Sequence, residues 1–248
     1  MKRIILILLF FTGFAGTIPG QATADYERRL YDAYVRGDMH QWEEIIPDMA
    51  SAYKRDKDPS LLYSLCFARY GYIGYCLGEG LKNEAREYLR EALREAEELN
   101  EIYNGRHDVL ALHGALLGFR MVLSNFSAVY LGPRVMDMIN TAAESGDKYF
   151  NCSLEMGNML YHMPGILGGS KQKAIPYYRK AVATIEQDPL KEDRDWLYLH
   201  TVLSLANACY ETGSTAQACD LYGRLLEYEP GATWIREDLY SRCNNRIR

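Results

Sequence analysis

Five histidines and six cysteines are the residues of this chain best suited to chemistry, and their spacing argues against most of it. His40, His107, His113, His162 and His200 form neither an HExxH motif nor an i, i+4 pair, so no helix face gathers two imidazoles as a zinc site requires. Cys66, Cys76, Cys152, Cys209, Cys219 and Cys243 include no CxxC pair and no metal spacing joined to histidine. Cys66 and Cys76 fall on one predicted helix, roughly 15 Å apart, too far to bridge each other. Cys209 and Cys219 sit on consecutive antiparallel helices, the arrangement that leaves a bridge between them open. The run Gly165-x-x-Gly168-Gly169-Ser170-Lys171 invites a phosphate-loop reading. A phosphate loop needs Gly before the Lys, Ser or Thr after it, and a strand ahead of it. Here Ser170 precedes Lys171, Gln172 follows, and the preceding segment reads as helix. The glycines serve a tight turn between helices, with Ser170 as the cap of the next one. No local signature of a Cys–His nucleophile surrounds any cysteine, so the expectation is a non-enzymatic protein with no cofactor and no metal.

The N-terminus bears on compartment. Lys2 and Arg3 precede an apolar run from Ile4 to Phe14, and Ala22-Thr23-Ala24 supplies the small-x-small pattern of a cleavage site. Residues 1–24 therefore read as a signal peptide, and residues 25–248 as one mature domain, exported to the periplasm or secreted. The run is shorter than the about 20 residues that span a bilayer, and the first cysteine, Cys66, lies far from the cleavage point, so no lipoprotein anchor is expected. Residues 1–24 hold two bases and no acid, so their removal takes the net charge from −5 to −7. An acidic chain argues against nucleic acid as the partner. Two matches to the glycosylation sequon, Asn125-Phe-Ser127 and Asn151-Cys-Ser153, fall in predicted helix or its edge and read as coincidence.

The elements that position these residues are helices. Asp25 to Arg36 is closed by Gly37, and Met39 to Arg55 is its partner, with Trp42, Ile45, Ile46 and Met49 on one stripe. Asp58-Pro59-Ser60 starts a helix reaching about Leu77. Leu81 to Tyr103 carries alternating Glu and Arg on a solvated face. Asp108 to about Phe126 with Pro133 to Glu144, Lys148 to Met163 with Lys171 to Gln187, and Asp193 to Thr212 with Thr215 to Tyr228 make three further pairs. Trp234 to Asn244 closes the chain with a basic end at Arg236, Arg242, Arg246 and Arg248. Hydrophobic content of 48 % can fill a continuous core, and no period-two strand pattern of any length is present. Tyrosine outnumbers phenylalanine 20 to 7, which supplies rings that pack while their hydroxyls stay wet.

One pattern recurs along these pairs. Ala218, Tyr222 and Leu225 precede Pro230; Ala174, Tyr178 and Ala181 precede Pro189; Ala85, Leu89 and Ala92 open the charged helix. Spacings of four then three put each triplet on one helical stripe. With Leu205 and Ala206 at a first-helix contact position, the segment from Leu199 to Ala232 resembles a tetratricopeptide repeat over its whole length. It departs at Cys209, where the family prefers Tyr. The preceding pair resembles a repeat with an insertion: Gly157 fits the first-helix glycine, and Ala174 lies 44 residues before Ala218 against a usual period of about 34. The run from Pro164 to Ala174 is similar to one in exported bacterial members of the superfamily, including the helical T component associated with some TRAP-type solute transporters. The resemblance implies an all-α, tetratricopeptide-like α-solenoid of about five helix hairpins plus a C-terminal capping helix.

In that family the concave surface is lined by first helices. The matching positions are Asn151, Leu154, Asn158, Tyr161 and His162 in the fourth pair and His200, Leu203, Asn207 and Tyr210 in the fifth. Asn158 and Asn207 are equivalent, and asparagine there can hydrogen-bond an extended peptide backbone. The family's clamp for a terminal carboxylate needs Lys where this chain has Leu154 and Leu203. The resemblance thus implies a scaffold or adaptor that docks a peptide or partner-protein segment on an aromatic-lined concave face, with small-solute binding beside an envelope transporter as the alternative.

Overall fold

The computed structural model describes residues 19–124, 127–145, 148–187 and 195–244. Most of the signal-peptide reading, both Asn125 of the first sequon and Pro189, and the basic residues Arg246 and Arg248 lie outside the described residues. Eleven α-helices and no strand occur among those described: α1 (Pro19–Arg36), α2 (Met39–Asp56), α3 (Pro59–Gly78), α4 (Lys82–Ile102), α5 (His107–Leu123), α6 (Ser127–Ala143), α7 (Phe150–His162), α8 (Lys171–Gln187), α9 (Trp196–Glu211), α10 (Thr215–Tyr228) and α11 (Ser241–Asn244). A 3₁₀ turn, Gly165–Leu167, separates α7 from α8, and a π-helical segment, Ile235–Tyr240, leads into α11.

Local chemistry sets the boundaries. Gly37 ends α1 at φ +66, where a side chain would be strained. Asp38 then caps α2 by accepting from Gln41 N at 3.0 Å, Asp58 caps α3 through Ser60 N at 2.9 Å, and Asp195 caps α9 through Leu197 N at 2.8 Å. α6 corrects one boundary, because it begins at Ser127 and carries Pro133 inside it. Pro47 and Pro176 are likewise interior to α2 and α8. All three prolines are exposed, so water can serve the carbonyl that each leaves without its donor. α1 also runs upstream of Asp25, and Thr23 is buried in it.

The helices pack as five consecutive hairpins, first helices inside and second helices outside. α3 buries residues all round, from Leu61 and Leu62 to Phe67, Tyr70 and Ile73. α4 buries the single stripe Ala85, Leu89, Ala92, Ala96 and Leu99, as an amphipathic outer helix must. The recurring triplets are all interior, and Gly157 meets the Tyr178 ring where the two helices of the fourth hairpin cross.

The array then closes on itself. Tyr31 of α1 donates to Glu229 Oε2 at 2.8 Å and Trp234 Nε1 donates to Tyr34 O at 3.1 Å. Tyr34 is surrounded by the chain's three tryptophans, with ring centroids 6.1 Å from Trp42, 5.8 Å from Trp196 and 5.7 Å from Trp234. Trp42 meets Trp196 edge-on at 4.9 Å, and Gly71 of α3 lies directly against both. One continuous core therefore runs from Leu30 to Cys243. The C-terminal segment is stapled by a Cys219–Cys243 disulfide. This corrects the pairing considered between Cys209 and Cys219. Cys209 points into the α9 core and is free, whereas Cys219 sits one residue past the inward-facing Ala218 and so turns toward the capping segment. Cys66 and Cys76 are both buried and free.

The tyrosine excess has a structural role of its own. Rings pack inward while hydroxyls donate to acidic side chains of other helices or turns: Tyr53 to Glu98, Tyr63 to Asp108, Tyr72 to Glu84, Tyr88 to Glu43 and Tyr198 to Glu186. These hydroxyls are tied down rather than left in water.

Candidate functional site

The self-closure decides the fate of the concave face. Asn151 is 1 % exposed and spends its amide on Asp108 O at 2.8 Å, which also removes the second sequon from any accessible surface. Leu154 and Leu203 are core residues. Asn158 Oδ1 accepts from Tyr178 Oη at 2.9 Å, and its Nδ2 donates to Tyr70 Oη at 3.1 Å and to Glu155 Oε2 at 3.0 Å. Asn207 Oδ1 accepts from Tyr222 Oη at 2.6 Å. The equivalence of the two asparagines is thus structural: in each hairpin the second-helix tyrosine bonds the first-helix amide. Five of the nine concave positions therefore hold the array together: Asn151 and Asn158 tie α7 to α5, α3 and α8, Asn207 ties α9 to α10, and Leu154 and Leu203 are covered in the core.

Tyr161, His162, His200 and Tyr210 remain at the surface, exposed or half-buried. Tyr161 and His162 meet edge-on at 4.7 Å, and Lys171 Nζ lies 5.0 Å from the centre of the Tyr161 ring. Lys171 also pairs with Glu211, and that contact holds the Glu211 carboxyl below its ordinary range. His162 is pushed down by burial and then by Lys171. Burial, and then His162, push His200 down to about 4, and its ring rests 6.1 Å from Trp196. Both imidazoles are neutral at physiological pH, so this surface offers phenol and imidazole rings beside one ion pair.

The loop from Pro164 to Ser170 borders this surface. Leu167 N bonds Pro164 O at 2.9 Å, Gly168 N bonds Gly165 O at 3.0 Å, Gly169 N bonds Pro164 O at 3.2 Å and Ser170 N bonds Leu160 O at 2.7 Å. Ser170 Oγ accepts from Lys173 N at 3.3 Å, the expected cap. The amides of Leu167, Gly168, Gly169 and Ser170 are thus consumed within the turn. Gly169 is required because a Cβ there would stand 1.8 Å from Met163 O. The turn consequently holds Ile166, 93 % exposed, and Leu167, 61 % exposed, out in solvent. No sequence rule marks that pair as outward-facing, since both are aliphatic residues between glycines.

Chemistry elsewhere is muted. Cys66, Cys76, Cys152 and Cys209 are buried, and burial pushes each thiol up, the opposite of nucleophile activation. No group of three His, Cys, Asp or Glu residues that could hold a metal is present among the described residues. A shallow cleft of about 360 Å³ is lined by Glu27, Ser60, Tyr63, Ser64, Tyr103 and Arg106, with Thr23 and Ala24. Its guanidinium is already bound by Asp108 at 2.6 and 2.8 Å and stacked 3.9 Å from the Tyr103 ring centre.

No family model matches the sequence, and no curated protein matches it either. Solved structures share the fold, two of them as follows. A thermophilic TPR protein of Thermus thermophilus superposes with a TM-score of 0.55 at 17 % identity, covering 91 % of this chain and 98 % of that one. The HusA haemophore from Porphyromonas gingivalis superposes with a TM-score of 0.51 at 18 % identity, covering 78 % and 96 %. Hairpin order, inner first helices and the packed triplets agree with these likenesses: the chain has an all-α, tetratricopeptide-like helical-repeat fold.

Proposed function

We propose that this chain works after export as a non-enzymatic scaffold, docking a peptide or partner-protein segment on the surface made by Tyr161, His162, His200 and Tyr210 with the neighbouring turn. Tetratricopeptide-like folds in general suggest protein-interaction scaffolds. The observation that carries the finer reading is the exposed Ile166–Leu167 tip, on a hydrogen-bonded turn that follows directly from Tyr161 and His162. Rigid apolar and aromatic groups supply contact area at low entropy cost. The export reading draws on residues 1–24 and on the Cys219–Cys243 bond, since disulfides persist in oxidising compartments. No helix among the described residues is long and apolar enough to cross a membrane.

The test is affinity capture from the native envelope fraction with the chain beginning at Asp25, alongside a Tyr161→Ala, His162→Ala variant and an Ile166→Asp variant. A protein retained by the wild type and lost with both variants, at unchanged unfolding midpoint, supports the docking surface. Retention by both variants overturns the assignment.

A second reading, small-solute binding, is favoured by the likeness to a haemophore together with an exposed imidazole, His162, next to an apolar tip. Haemin titration reads it directly: a shifted Soret band that His162→Ala abolishes supports it, and an unshifted spectrum removes it.

A further inference from the structure

At the centre of the array, where side chains of α3, α7 and α8 meet, a carboxyl group is buried with no cation among the described residues facing it. Glu155 is 3 % exposed. Its Oε2 accepts from Asn158 Nδ2 at 3.0 Å, and its buried Oε1 has no hydrogen-bond partner. The titratable groups around it are Tyr70 from α3, Tyr178 from α8 and Cys152 one turn back on α7, none of them a cation. From α5, the uncharged Phe119 stacks on Tyr70 at 5.2 Å, and Asp108, beyond Asn151, is already paired with the Arg106 guanidinium at 2.6 and 2.8 Å. An ionised carboxylate at this point is an uncompensated buried charge, the costliest occupant of a low-dielectric interior. A neutral carboxylic acid removes that charge and adds one donor.

We propose that Glu155 is the proton-binding site of a pH-operated latch: as the neutral acid it lets α3, α7 and α8 close on one another, and release of its proton to bulk water loosens that junction. Burial raises the carboxyl from the ordinary 4.5 to about 7, against the opposing influence of the Asn158 amide and the nearby Tyr70 hydroxyl. The sign follows from proton binding. Between those two values the folded state holds a proton that the unfolded chain has lost, so stability from this group is greatest below the lower value and falls as pH rises through about 7. The span corresponds to a drop of about 10²-fold or somewhat more in the folding equilibrium constant. The latch is independent of what the outer surface binds.

The experiment compares the full chain with Glu155→Gln in denaturant unfolding from about pH 5 to about pH 8, with carboxyl-carbon NMR of the wild type and amide exchange corrected for its intrinsic rate. Glu95 also titrates high, at about 7, but faces Arg69, so the variant isolates the Glu155 share. The expected result is a wild-type equilibrium constant that falls about 10²-fold more than that of the glutamine variant over this range, and exchange in α3 and α7 that quickens with rising pH ahead of α4. Parallel profiles in the two proteins overturn the proposal. Should the variant fail to fold, the wild-type carboxyl resonance decides, and titration at an ordinary glutamate value overturns it. Unfolding in which α3 and α7 open no earlier than α4 overturns the latch as well.

Discussion

Gly157→Ala is the sharpest test of how the fourth hairpin is built. An alanine Cβ at this position would stand 2.6 Å from Tyr178 Cε1 and 2.7 Å from Cδ1, so the ring must retreat by most of an ångström. It has nowhere to go: Tyr178 is 1 % exposed, and its hydroxyl is tied to Asn158 at 2.9 Å. Overpacking of this kind costs about 3 kcal/mol at the upper end of its usual range, while Gly→Ala in a helix interior returns about 1 kcal/mol. The net expectation is a loss of about 2 kcal/mol. Gly74, in the interior of α3, has nothing within 4 Å of an added Cβ, so Gly74→Ala keeps the propensity gain and stabilises by about 1 kcal/mol. Urea unfolding of both variants, read at constant slope, gives opposite shifts of the midpoint. Adding Tyr178→Leu to Gly157→Ala relieves the clash, and the coupling in that double-mutant cycle measures it. A Gly157→Ala protein as stable as wild type would refute the close-packed crossing.

Two further outcomes follow from the packing. Replacing Cys219 and Cys243 by serine opens a closed loop spanning a sequence separation of 24 and lowers stability by about 3 kcal/mol; the same loss in the wild type under reductant, and none in the variant, checks it. Arg69→Met leaves Glu95 buried without the guanidinium that now bonds both its oxygens at 2.9 Å, costing about 3–5 kcal/mol, whereas Arg69→Met with Glu95→Met recovers most of it. In the single variant the loss grows as pH rises and Glu95 is forced to ionise, which a pH series of unfolding midpoints reads.

Much of the fold was legible because helix signals are local. Asp38, Asp58 and Ser170 cap helices, Gly37 ends one, and the triplets that each begin with Ala mark the stripe on which hairpins pack, each decided by residues within a turn or two. Pro133 misled for the same reason: a proline reads locally as a helix start, yet an exposed position tolerates it inside α6. The surface positions divide instructively. Sequence spacing located the first-helix faces of α7 and α9 but could not say that Asn151, Leu154 and Leu203 would be covered, since what covers them comes from other hairpins.

The sequence by itself determined an all-helical hairpin array, the small residues at each crossing, and the absence of metal-ligand spacing. Only the tertiary structure decided that the array closes, with Trp42, Trp196 and Trp234 gathered around Tyr34 from three distant parts of the chain. It alone paired Cys219 with Cys243 and placed Glu155 beside Tyr70 and Tyr178 in an uncharged interior. The physical reason is one of range. Backbone hydrogen bonding and side-chain periodicity act over a few residues, whereas burial, ring contacts and the charge around a carboxyl depend on which distant helices arrive at the same place.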